Sequence, residues 1–216
     1  MVMLNIDDKM RAEIRQAVED LEKNTSGELV CVVAPSSARY ILFPLLWAAL
    51  GALLLPVLNP ILELMKVQDF AVTFTVQSIF FLGLAALFLF TPLKWRIIPS
   101  TVLVGNCHRA ACEQFFMQKL HETKKRAGVL LFVSVGERYV ELLADKGINE
   151  LVDPGEWGGI IDIFAGDIRE GKVHDGFLKA INACKDILAK RLPEVRNDIN
   201  ELSDSLVELP EAEFIS

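Results

Sequence analysis

Two long apolar runs without a charged side chain, Tyr40 to Leu62 and Phe70 to Leu93, constrain this chain more than anything else in it. A helix rises about 1.5 Å per residue, so about 20 apolar residues match a hydrocarbon core of about 30 Å. Both runs reach that length. Only Glu63, Lys66 and Asp69 carry charge between them, which leaves a short loop. The pattern predicts a two-helix transmembrane hairpin over 40–93, with spans at 40–62 and 70–93 and both chain ends on one side of a bilayer. Basic residues near the span ends choose the side. Arg39, Lys94, Arg96 and Arg109 lie on the terminal side, while the loop has Lys66 alone, flanked by acids. The expectation is a multi-pass protein of the cell inner membrane, with both termini and the soluble domain in the cytoplasm. Residues 1–39 contain no apolar stretch before the first span, which would act as an internal signal anchor.

Of the 216 residues, roughly 160 fall outside the hairpin, which suits one domain of about 100–150 residues. The hairpin accounts for the 52% hydrophobic content. Charge is also unevenly spread. From Glu194 to Ser216 seven acids face Arg196 alone, so this tail carries −6 of the net −7 and leaves the rest near −1. No basic face for nucleic acid follows from that balance. Cys31, Cys107, Cys112 and Cys184 form no CxxC pair and no dense framework. They read as reduced, mostly buried thiols on the cytosolic side.

Outside the hairpin the periodicity is that of an α/β domain in two parts, 1–39 and 94–193, followed by an acidic tail at 194–216. Ile6, Met10, Ile14, Val18 and Leu21 recur at helical spacing and predict an amphipathic helix over 5–24, capped by Asp7 or Asp8. After the break at Asn24 to Gly27 comes Leu29 to Val33, a short continuous apolar run typical of a strand buried on both faces. In the first span Ala48 and Ala52 are four apart, as are Trp47 and Gly51, which permits close helix approach. Pro56 and Pro60 predict a kink. In the second span Gln77 could bond the first span or a partner's helix, while Thr and Ser there bond their own backbone. No ionisable residue lies inside either span, which argues against an ion pathway through the hairpin alone. After Pro99 a helix is predicted over 100–126, then strands Val129 to Val133 and Arg138 to Ala144. Helices at 155–170 and 174–191 complete the domain, with His174 capping or preceding the last one.

Thr25-Ser26-Gly27-Glu28, the block Gly128 to Val133, Arg138-Tyr139-Val140-Glu141, and Leu143 to Ile148 then stand in an order that resembles the TPM domain family. Trp157, Arg169-Glu170-Gly171-Lys172, Asp175-Gly176-Phe177 and the ending Asn200-Glu201-Leu202 with Leu206 to Leu209 extend the resemblance to its bacterial membrane branch. The resemblance covers 5–40 and 95–193. It implies an α/β fold, a TPM-like mixed sheet between helices, here interrupted by the transmembrane hairpin. It also implies an unsettled activity, since relatives are described as phosphatases, as metal-binding, or as accessory factors of large membrane complexes. Two departures stand out. Arg126-Ala127-Gly128 occupies the place where many TPM domains have Asp-Asn-Gly, and the hairpin is inserted after the first strand.

A metal-assisted phosphoryl transfer needs two or three converging carboxylates and a positioned water. The candidate catalytic set is Asp145, Asp153 and Glu156, and the candidate ligands for a divalent cation, Ca²⁺ or Mg²⁺, are Glu28, Asp145 and Asp153. Asp145-Lys146-Gly147 reads equally as a turn, and Asp153-Pro154 as a helix start. Cys107, His108, Cys112 and His121 offer zinc-type atoms on one predicted helix, but at no structural zinc spacing. Sequence does not fix the geometry of a Cys–His nucleophile drawn from that set. No phosphate-cradling glycine loop, GxSxG or dinucleotide fingerprint occurs. In the tail, Ile199, Leu202, Leu206 and Leu209 suggest a short amphipathic element that folds back on the domain or engages a partner.

The leading expectation is a non-enzymatic interaction or accessory module at the cytoplasmic face of the membrane. Its partners would be the lipid bilayer and either a protein or a second copy met through the hairpin, with no tightly held cofactor and no nucleic acid. The alternative is a metal-dependent phosphatase built on the acidic loop residues. A third reading, a transport-complex subunit, would use Gln77 as a contact.

Overall fold

The structure is a computed structural model that describes residues 7–65, 72–193 and 206–210. The chain divides into two compact units, one formed by Arg39–Leu103 and the other by Val2–Ala38 with Val104–Ser216.

In the first unit, helix α2 (Leu42–Leu54) runs through a 3-10 turn, Leu55–Val57, into α3 (Leu58–Leu64). Pro56 lacks an amide hydrogen, so the backbone ladder tightens there, where the kink was expected. The continuous stretch Leu42–Leu64 is 23 residues, long and apolar enough to cross a membrane by length and composition. Helix α4 (Phe74–Phe90) has 17 residues, fewer than the predicted 70–93. Its start is set by Thr73, whose hydroxyl accepts from Val76 N, and its end by Thr91, which donates to Leu87 O at 2.6 Å just before Pro92. Lys66, Asp69 and Phe70, on which the loop and the second span partly rest, lie outside the described residues.

Small residues allow α2 and α4 to approach. Ala48, Ala52 and Ala85 are buried, and a Cβ on Gly51 would stand 3.1 Å from Leu84 Cδ2. Asn59 ties the far end together: its Oδ1 accepts from Val72 N at 2.7 Å and its Nδ2 donates to Val72 O at 3.2 Å. Ser78 donates to Phe74 O at 2.9 Å, the self-backbone bonding expected of hydroxyls in an apolar helix. At the other end Tyr40 meets Trp95 edge to face, 5.6 Å between ring centroids, and Trp47 Nε1 donates to Ile97 O. Lys94 Nζ sits 4.9 Å from the Trp95 ring centroid, on the short helix α5 (Lys94–Ile97). Helix α6 (Ser100–Met117) begins here and continues into the second unit.

The second unit is a mixed four-stranded sheet between helices. Asp7 caps α1 (Asp8–Glu22), accepting from Met10 N at 2.8 Å, and the buried Met10, Ile14, Val18 and Leu21 form its inner stripe. Strand β1 (Glu28–Ala34) pairs in parallel with β2 (Gly128–Ser134), and β2 pairs antiparallel with β3 (Tyr139–Ala144). Then come α7 (Lys146–Asn149), α8 (Pro154–Arg169) and α9 (Val173–Arg191). The tail contributes β4 (Val207–Glu208), parallel to β1, giving the order β3-β2-β1-β4. The tail thus folds back as an extended edge strand, while Ile199 and Leu202 lie outside the described residues.

Side-chain alternation sorts the sheet into two faces. Leu29, Cys31, Val33, Val129, Leu131, Val133, Val140 and Leu142 pack with α1, α8 and α9. Val30, Val32, Ala34, Leu130 and Phe132 form the opposite face with Ala111 of α6 and Leu120. Between α8 and α9, Phe164 and Phe177 meet at 4.9 Å. The helix predicted over 100–126 ends earlier, at Met117. Lys119 takes a left-handed backbone (φ 58°) and a 3-10 turn, Leu120–Glu122, follows, because Leu120 turns inward to fill the core.

Candidate functional site

The proposed acids each hold a distinct structural post. Asp145 closes β3 and caps α7, accepting from Lys146 N at 2.7 Å. Its carboxylate is only 6% exposed and meets Arg126: NH2 donates to Oδ1 at 3.0 Å, and Nε stands 2.8 Å from Oδ2 at ion-pair distance. Arg126 reaches it from a left-handed backbone position (φ 53°), in the turn where the sequence lacks the expected acid. The two loops are also joined through backbone, Asp145 N to Gly128 O at 2.8 Å and Gly147 N to Arg126 O at 3.0 Å. Asp153 caps α8, accepting from Gly155 N at 2.8 Å. Glu156, in the first turn of α8, accepts from Arg191 of α9 at 3.1 Å. Glu28 opens β1, its amide donating to Ala127 O. Among the described residues, no group of three or more His, Cys, Asp or Glu is arranged to hold a metal.

The sulfur and imidazole groups divide differently from their order in sequence. His121 leaves the helix altogether and stacks edge to face on Phe116 at 5.0 Å. Cys107 turns inward, 3.2 Å from Ser37 Oγ, and burial pushes its thiol up to about 12. Around it Glu137 accepts from Ser37 N at 2.9 Å and from the hydroxyls of Ser37 and Ser134, which ties the β2–β3 turn to the end of β1.

His108 and Cys112 are four apart on α6 and therefore share a face, with Cys112 Sγ 3.6 Å from His108 Nε2. Alternation along β3 turns Tyr139, Glu141 and Leu143 toward α6. Glu141 Oε1 lies 2.7 Å from His108 Nδ1, and Oε2 accepts from Tyr139 OH at 3.1 Å. A thiol, an imidazole, a carboxylate and a phenol thus form one connected chain. Burial, then the Glu141 carboxylate, raises the Cys112 thiol, and the same two causes raise Tyr139. Sequence offered His108 and Cys112 but not Glu141 or Tyr139. The signal available was the i, i+4 spacing, with the period-2 face of the following strand supplying the third member.

His174 neither caps nor precedes α9. It sits in the first turn and its Nε2 lies 2.8 Å from Glu13 of α1. A second pair, Lys185 with Asp20, joins the same two helices.

The TPM domain family matches residues 97–187, which include α6, β2, β3 and α7 to α8. No curated protein matches the chain. The NMR structure of the BA42 protein from the psychrophilic bacterium Bizionia argentinensis superposes with a TM-score of 0.60, covering 96% of this chain and 98% of that one. Sequence identity between them is 19%, so the likeness is one of fold.

Proposed function

We propose that this chain is a membrane-anchored TPM-domain protein whose α/β domain acts at the cytoplasmic face as a non-enzymatic interaction or accessory module. The observation that carries this reading is the engagement of the acids. A divalent-metal phosphatase needs carboxylates open to the ion. Here Asp145 answers Arg126, Asp153 caps α8 and Glu156 meets Arg191.

Anchoring is supported by what α2 and α4 leave uncovered. Leu42, Leu53, Leu54, Phe74, Ile79, Leu82 and Phe90 are all well over half exposed, which water would not tolerate over so continuous a surface. The Tyr40, Trp47 and Trp95 cluster beside Lys94 has the composition of a membrane–water interface belt. Orientation rests on the basic residues Arg39, Lys94 and Arg96 at that same end.

The test is recovery from membranes in mild detergent after light cross-linking. The expected result is a stoichiometric protein partner or a second copy. A partner-free monomer showing divalent-dependent phosphatase turnover that Asp153→Asn abolishes would replace this reading with the enzymatic one.

A further inference from the structure

We propose that Cys112 is a self-acylating thiol, accepting a fatty acyl group from an acyl thioester with His108 as the base and Glu141 as the positioning residue. The arrangement has the three members that an activated nucleophile requires: the nucleophile, a base within reach and a group that orients the base. Glu141 Oε1, 2.7 Å from Nδ1, fixes the imidazole with its Nδ1 hydrogen toward the carboxylate and its Nε2 lone pair toward Sγ. Tyr139 holds the other carboxylate oxygen. Because burial and Glu141 disfavour the thiolate at rest, the thiol needs a base at the moment of attack.

The surroundings point to the acyl donor. Val104 and Phe116 stand one turn before His108 and one turn after Cys112, and they are 49% and 60% exposed. An alkyl chain laid along this face of α6 would cover apolar surface that otherwise faces water. His108 is itself open to solvent, so a bulky donor is not shut out. Cys31, Cys107 and Cys184 are buried, which leaves Cys112 as the accessible thiol among the four.

The step balances without an oxidant. Cys112 Sγ attacks the thioester carbonyl carbon while its proton passes to His108 Nε2. The carbon–sulfur bond to the donor then breaks, and the departing thiolate takes the proton from His108. One thioester is exchanged for another.

The probe is hexadecanoyl-coenzyme A with a terminal alkyne, added to the purified full-length protein in non-ionic detergent. The readout is the hydroxylamine-labile adduct located by peptide mass spectrometry. Labelling is expected at Cys112, and its rate should fall on the order of a hundredfold in His108→Gln. Glu141→Gln should lose much of the rate and Glu141→Asp recover part of it, a pattern that a merely structural carboxylate would not give. Phe116→Ser should reduce the preference for the long-chain donor over acetyl-coenzyme A. A near-ultraviolet circular dichroism spectrum equal to wild type establishes that each variant is folded. An unlabelled protein, an adduct spread over the four cysteines, or a His108→Gln rate equal to wild type in a folded sample would each overturn the proposal.

Discussion

Gly147 faces backbone rather than side chains. A Cβ there would stand 2.4 Å from Lys125 O and 2.7 Å from Arg126 O, the second of which accepts from Gly147 N across the two loops. Gly147→Ala should therefore cost about 1–3 kcal/mol, as overpacking does, read as a lowered urea midpoint with unchanged slope. A midpoint equal to wild type would mean the loop yields more freely than its bonds suggest. The buried thiols make a second residue-scale claim. Burial raises Cys107 and Cys184 from an ordinary 9.0 to about 12. The native state thus keeps protons that the unfolded chain has already released, so this contribution is complete below about pH 8.5 and is lost as pH rises from there toward 12. Each thiol adds a slope of roughly 1.4 kcal/mol per pH unit in that window. Unfolding curves from pH 8 to 10.5 should show a shallower decline for Cys184→Ala than for wild type, and equal declines would contradict the assignment.

At the scale of elements, β4 is the least secured strand. It consists of Val207 and Glu208 paired to Val32 and Val33, one further bond from Leu209 N to Val33 O, and an ion pair between Glu208 and Arg11. Leu206, Val207 and Leu209 add partial apolar packing on both faces. Its removal exposes the outer edge of β1, an apolar strand with unpaired backbone groups, and such edges seek partners. Truncation after Ser205 should leave a folded protein that self-associates at concentrations where the full chain does not, measured by light scattering in detergent. An unchanged mass would show that β1 needs no cover. Ile199, Leu202, Leu206 and Leu209 among acids suggest an amphipathic element, because a spacing of three to four residues over so short a stretch does not exclude a strand at its end. Only the vacant side of β1 resolves the choice.

At the scale of the whole molecule, both core clusters draw their residues from 10–34 and 110–206, with Val207 and Leu209 at the margin. Among the described residues, none of α2, α3 or α4 belongs to them. Replacing 39–99 by a flexible Gly/Ser linker should therefore yield a water-soluble domain with a single cooperative unfolding transition, while the full chain should need detergent to stay in solution. An insoluble or non-cooperative product would show that the hairpin is part of the fold rather than an insertion in it. The same division bears on function. The features that speak for a membrane lie in one unit, and the polar chain from Cys112 to Tyr139 lies in the other.

Periodicity and punctuation alone determined the order of the longer elements: a helix stripe at Met10, Ile14, Val18 and Leu21 capped by Asp7 or Asp8, continuous apolar runs for β1 and β2, a helix start at Asp153-Pro154, and prolines where the apolar helices bend or stop. These are local signals, set by which face must be buried and which amide lacks a partner. Tertiary structure decided what local signals cannot hold. It joined Arg126 to Asp145 across 19 residues and so gave a proposed ligand another duty. It turned Cys107 inward and His121 off the helix, and it brought Glu141 to His108 across 33 residues. A carboxylate in sequence is only a charge; whether it caps, pairs, orients or coordinates depends on which cation or donor the fold sets beside it.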